Sequence, residues 1–480
     1  VHLMKMKAAA ASACLVSASC GAGSLPVTSA AGADLQRFAV YLQDEPIGYM
    51  EIRIEPAAGD SLKLTEETVW DLVLMGSRRH VVMEFTAVCD STLNMGSLDF
   101  HLTDGSAVIS SSTMREGNTL VTTVGSSGRE IETTSSFEGE YMPAAIDLAC
   151  ALLPWDVGQE RTFPAFDPAT GTLAEAVATC VAIEPADLLG DTVQAARLEI
   201  RNMGTTTQAW VWNGQVIREL DSGMNMEMTR VPPGQAGEVT SDRDLYEAFA
   251  VQSTTIADPR GPGSRTYMLE GDIDWSAFQL DYPPVQIAEG SRVTVSTHVP
   301  QTSVPFPVEV DSTFAIYLAS EPMVQSDDPA IVKLADSLTT GCRTAWDAAR
   351  NISGFVDRAV ENTPTVSLPS AVEVLDSRRG DCNEHTVLFV ALARAAGIPA
   401  RTCAGVVYLD GAFGYHAWPL VWVGEWVPMD PTFGNDIADP THIILAEGNL
   451  ESQYVITSVM GRLRISEVVA EAVQEEDVPR

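Results

Sequence analysis

Lysine is nearly missing from this chain: after Lys5 and Lys7, only Lys63 and Lys333 occur. Lys and Arg together number 29 against 65 Asp and Glu, a formal net charge of −36. An anionic membrane surface or a nucleic acid would be repelled by that balance, so neither is expected as a partner. The charge reads first as a solvated acidic surface. The 8 cysteines include no Cys-x-x-Cys pair, which speaks against a zinc site or a dense disulfide scaffold. Beyond residue 33, no run is long and apolar enough for a membrane-spanning helix. Nothing points to a nucleotide or a metal, so no cofactor is expected.

The start of the chain reads as an export signal. Lys5 and Lys7 supply a charged opening, and residues 8–19 form a short Ala-rich apolar stretch. Val1 in place of Met suggests a non-AUG start, with Met4 and Met6 as alternative starts. Small residues at Thr28-Ser29-Ala30 and Ala31-Gly32-Ala33 offer cleavage sites, and Cys20 is a poor match to a lipid-attachment site. Residues 1–33 are therefore taken as a signal peptide. The mature protein is expected to be periplasmic, extracellular or lipid-anchored. Such a compartment would permit a Cys150–Cys180 disulfide.

Residues 34–232 have the period of antiparallel β-structure. Met50, Ile52 and Ile54 alternate with Glu51, Arg53 and Glu55, and Val81, Met83, Phe85, Ala87 and Cys89 repeat the pattern. Asp104-Gly105 and Asn213-Gly214 are hairpin turn signals. Residues 143–153 read as a helix, and Met224, Met226 and Met228 as the stripe of one sheet face. Residues 233–322 are rich in Gly, Pro and Ser and read as a linker with a small β-layer, with a short helix over 242–251. Helical pattern resumes over 328–335 and 343–360, within a domain at 323–465. Residues 466–480 form an acidic tail.

The chemistry concentrates in Arg379-Gly380-Asp381-Cys382-Asn383-Glu384-His385-Thr386. Asp381 followed three residues later by Glu384, ahead of the apolar run 387–396, is a capping box opening a buried helix. Gly397, Ile398 and Pro399 stop that helix. Cys382 then sits in the first turn, where free N–H groups and the helix dipole favour a thiolate. A nucleophilic thiol also needs a base and a group to orient it. Residues 414–418, with His416 at their centre, open one strand pattern running to 423, and Asp430 lies in the returning one, residues 426–432, so Cys, His and Asp follow in chain order.

Gly380-Asp381-Cys382-Asn383-Glu384-His385, the helix end running to Arg401, His416-Ala417-Trp418 and Trp426-Val427-Pro428-Met429-Asp430-Pro431-Thr432 together resemble the bacterial transglutaminase-like superfamily. The resemblance covers about residues 328–450. It implies an α+β fold: an N-terminal antiparallel curved β-sheet domain ahead of a papain-like core. Cys382 would be nucleophile, His416 general base and acid, and Asp430 the orienting carboxylate. It implies thiol acyl transfer on amide bonds of protein or peptide substrates. The same triad would serve a cysteine protease or a peptidoglycan amidase, and a binding protein working through the β-domain is the remaining alternative. The acidic surface suits a cationic acyl acceptor, and a chain this poor in lysine would rarely cross-link itself. Cys403 reads as packing, His385 as helix-end packing, and His442 as a surface residue or one supporting the site. Trp418, Trp422 and Trp426 read as sheet packing, and Trp346 as one candidate second oxyanion donor.

Strand parity adds a geometric condition. With a plain two-residue turn at Gly424-Glu425, Asp430 would face Pro419 and lie on the opposite sheet face from His416. A working triad needs an odd-numbered loop centred on Gly424, or a bulge at Pro419 or Pro428.

Overall fold

The structure is a computed structural model. It describes residues 34–468 apart from 75–76, 91–92, 104–107, 127–128, 138–145, 169–170, 203–204, 222, 236–241, 243, 245–247, 322, 364–369 and 449–453. The signal peptide with Cys20, the Asp104-Gly105 turn, much of the 242–251 helix and residues 469–480 lie outside the described residues.

Alternating side chains build one antiparallel sheet of 14 strands. In strand Ser77–Cys89, Val81, Met83, Phe85, Ala87 and Cys89 are buried while their neighbours are more exposed. Two meanders meet where the first strand, Asp34–Leu42, pairs with the last, Met226–Val231. Asn213 and Gly214, at φ 46° and 79°, make the tight turn between Thr205–Trp212 and Gln215–Asp221. Helix Ile146–Ala151 is wholly buried, and Met224, Met226 and Met228 line the core.

The segment read as a linker is built into the molecule. Gln252–Ser253, Ser264–Glu270, Gln286–Glu289 and Arg292–Ser296 form a five-stranded sheet completed by Arg464–Glu467. The expected tail thus begins inside a strand, because Ile465 is buried and Glu467 pairs with Arg265. Val251 and Phe413 exchange backbone hydrogen bonds, and Tyr267 Oη donates to the Pro440 carbonyl. Tyr267, Phe413, Cys382 and Met228 consequently belong to one continuous apolar core.

The remaining domain packs helices on a small sheet. Helices α1 (Pro329–Thr339), α2 (Ala345–Ala359) and α3 (Ala371–Ser377) surround α4 (Cys382–Ala395). Asp328 and Thr344 cap the first two. The antiparallel strands β1 (Ala400–Leu409), β2 (Ala412–Trp422), β3 (Trp426–Pro428) and β4 (Ile443–Glu447) lie in the order β3-β2-β1-β4. The whole is α+β.

Candidate active site

The start of α4 is fixed by reciprocal bonds. Asp381 accepts from the Asn383 N–H at 3.0 Å, and its own N–H donates to Glu384 at 2.9 Å. Gly380 makes room for this, since a Cβ there would stand 2.1 Å from that of Glu384. His385 donates from Nδ1 to the Asp381 carbonyl at 2.7 Å, so it tightens the helix end. Cys382 occupies the first helical position and is 9% exposed.

The β2–β3 hairpin resolves the parity condition through its loop. Trp422 faces Trp426 and Leu420 faces Pro428, leaving Val423, Gly424 and Glu425 as a three-residue connection. Gly424 carries φ 115°, a conformation side-chained residues avoid. The register continues as Met429 N–H to the Pro419 carbonyl, which sets Asp430 across from Trp418. His416 and Asp430 therefore share a face, and Nε2 donates to Asp430 Oδ2 at 2.9 Å. Asp430 is fully buried, and its Oδ1 accepts from the N–H groups of Thr432 at 2.9 Å and Phe433 at 3.3 Å.

With Nε2 committed to Asp430, Nδ1 is the His416 nitrogen left for Cys382, which lies close enough to raise the ring's hold on its proton. Phe433 stacks on the ring at 4.8 Å and 6°, and Trp418 covers it at 5.8 Å. Burial alone would strip the proton from this imidazole. Asp430 and Cys382 outweigh it and hold His416 up to about 10. Burial likewise opposes the Asp430 charge, but His416 and His442 hold its carboxyl well below the usual range.

His442 is neither at the surface nor remote. It is 3% exposed and donates from Nε2 to the same Asp430 Oδ2 at 3.0 Å. Burial disfavours its charge, while bonds to Asp430 and Asp439 raise its proton affinity overall. Asp439 accepts from Arg260 at 2.5 Å and from the Thr441 N–H at 2.8 Å. Arg260 also lies over the Phe433 ring at 5.0 Å. Sequence reading missed Arg260, Phe433 and Asp439. Asp439-Pro440-Thr441-His442 just before an apolar strand was a usable signal, whereas Arg260 is remote in sequence.

His416, Asp430 and His442 bring ligand-type atoms within 4.8 Å of one another. Both Nε2 atoms spend their protons on Asp430, so the arrangement is a hydrogen-bonded set rather than lone pairs aimed at one ion. Cys403 is fully buried and burial pushes its thiol up, as inert packing would have it. Trp346 packs against the helical core, in a different cluster from Cys382, with its backbone N–H donating to Ser303 Oγ. Trp418 is core, and Trp422 and Trp426 join Phe314 in a half-buried aromatic group.

Residues 332–431 match the family model of the Transglutaminase-like superfamily. Among curated proteins none matches this chain. One similar solved structure is a candidate cysteine protease from Cytophaga hutchinsonii, 18% identical, covering 48% of this chain and 89% of its own at TM-score 0.27. A β-barrel-like protein of a domain of unknown function from Brucella abortus is 7% identical over 42% of this chain and 95% of its own, at TM-score 0.31. A candidate protease from Parabacteroides distasonis is 10% identical over 73% of this chain and 68% of its own, at TM-score 0.20.

Proposed function

We propose that the transglutaminase-like domain carried by this chain at residues 332–431 is a thiol-dependent acyl transferase or hydrolase acting on amide bonds of proteins or peptides. The observation that carries this reading is His416, fixed through Nε2 by a buried carboxylate and close enough to Cys382, at a helix start, for the two to interact. The Cys382 thiolate attacks the amide carbon, forming a C–S bond. The Cys382 N–H at the helix start helps hold the oxyanion. His416 passes its proton to the leaving nitrogen as the C–N bond breaks. Water or an amine then attacks the thioester, His416 takes up the proton released, and the thiolate departs.

The acidic surface supports a cationic amine as acceptor. Export belongs to the same proposal, on the strength of Lys5, Lys7 and the Ala-rich stretch after them. Mass spectrometry of the native protein should find its N-terminus between Cys20 and Asp34, and a terminus at Met4 or Met6 would remove export.

The activity test offers a glutamine-containing protein together with a labelled amine. Incorporation of label marks transfer, ammonia release without label marks hydrolysis, and a cut chain marks a protease. Each should vanish in Cys382→Ala. Activity that survives in this variant places the chemistry elsewhere.

A further inference from the structure

Two imidazoles share one oxygen at the centre of this site. Asp430 Oδ2 accepts from His416 at 2.9 Å and from His442 at 3.0 Å. The other nitrogen of His442 faces Asp439, 3.1 Å from its carbonyl oxygen and 3.3 Å from Oδ1. Oxygen acceptors thus meet both nitrogens, and only a ring protonated on both satisfies them. The groups around this ring are Asp430, Asp439, the His416 ring at 5.8 Å, the edge of Trp418 at 5.1 Å and Phe433 at 6.2 Å. Behind them Arg260 reaches in from the upstream segment to hold Asp439. Charge therefore alternates along Arg260, Asp439, His442, Asp430 and His416.

We propose that His442 is a positioning residue that tempers His416: by taking half of Asp430 Oδ2 it divides the carboxylate's field, so that His416 releases its proton more readily. The idea rests on the acyl-transfer reading, in which that proton must reach the leaving nitrogen. An imidazolium facing an undivided buried carboxylate would hold its proton more tightly through the step that needs it. Arg260 and Asp439 serve as the anchor that keeps His442 charged and in place.

The test follows ring protonation in Cys382→Ala protein by nitrogen NMR of labelled histidine. Without Cys382, one of the groups that hold the His416 proton is gone, so its loss should fall at lower pH. His442 should stay protonated on both nitrogens through the range, about pH 6.5, in which a free imidazole loses its proton. In the added variant His442→Gln, loss of the His416 proton should move up by about one pH unit, because a nearby cation has gone. Asp430 stays placed through Oδ1, so a role in support alone would leave that pH unmoved or lower it. Arg260→Gln, at a part-exposed position, should shift it the same way by less, and decides the matter if His442→Gln does not fold. A singly protonated His442, or no upward shift in the folded variants, overturns the proposal. No reading depends on Cys382 reacting, so a wild-type protein inactive in acyl transfer would count against the proposed function separately.

Discussion

At the scale of the residue, Asp430 is the most committed side chain of the site. Its two oxygens accept from two imidazoles and two backbone N–H groups. Asp430→Asn should fold with lowered stability and lose a factor on the order of 10³–10⁴ in acyl-transfer rate, because the His416 cation loses its counter-charge. Steady-state rates set beside thermal melts check this, and a rate near wild type would remove the carboxylate from the chemistry. Cys382→Ala should abolish transfer while costing about 1 kcal/mol or less in a denaturant titration. The candidate site residues Cys382, His416 and Asp430 stood out because each carries a local signal: a capping box before Cys382, and a strand pattern around His416 and Asp430. Arg260 carries none, since its partner Asp439 is brought to it only by packing of the upstream segment on the C-terminal sheet.

At the scale of the element, strand parity was the informative rule. It demanded an odd loop or a bulge from side-chain alternation alone, and the three-residue connection at Gly424 satisfies it. The placing of β4 beside β1 was not legible, because it depends on a missing side chain. A Cβ at Gly405 would stand 1.9 Å from the Ile443 carbonyl oxygen. Gly405→Ala should therefore push β4 outward, costing about 1–3 kcal/mol and displacing His442, the residue before that strand. Chemical denaturation together with acyl-transfer rates would show both effects, and a neutral outcome would mean that β4 does not press on the site. Asp381→Ala, which removes the cap under Cys382, should cost about 1 kcal/mol in the same measurement.

At the scale of the whole molecule, the two β-patterned regions and the helical core were visible from periodicity. The knitting together of the segment between them was not. Gly and Pro suggested a linker with a small β-layer; buried Tyr267 and the closing strand Arg464–Glu467 make that layer a connecting sheet, a pairing between distant residues. Inside the large sheet, burial pushes Asp147 and Glu219 above the usual carboxylate range, and they share a hydrogen bond. A carboxyl with a raised folded-state value stabilises the fold below its unfolded value, and that stability is lost as pH rises. The wild-type protein should therefore lose stability relative to Glu219→Gln as pH climbs above about 4.5. Melts across pH that stay parallel would contradict it. His416 works at the other end, where its contribution fades as pH rises through about 10.

The central claim is that His416 and Asp430 make Cys382 a nucleophile. It is tested most directly by the rate at which iodoacetamide alkylates each cysteine at about pH 6, resolved by mass spectrometry, in wild type and in His416→Ala. Cys382, though mostly buried, should react at least about tenfold faster than the more exposed Cys342, and should lose that advantage in His416→Ala. A Cys382 that reacts no faster than Cys342, or equally fast without His416, would contradict the account.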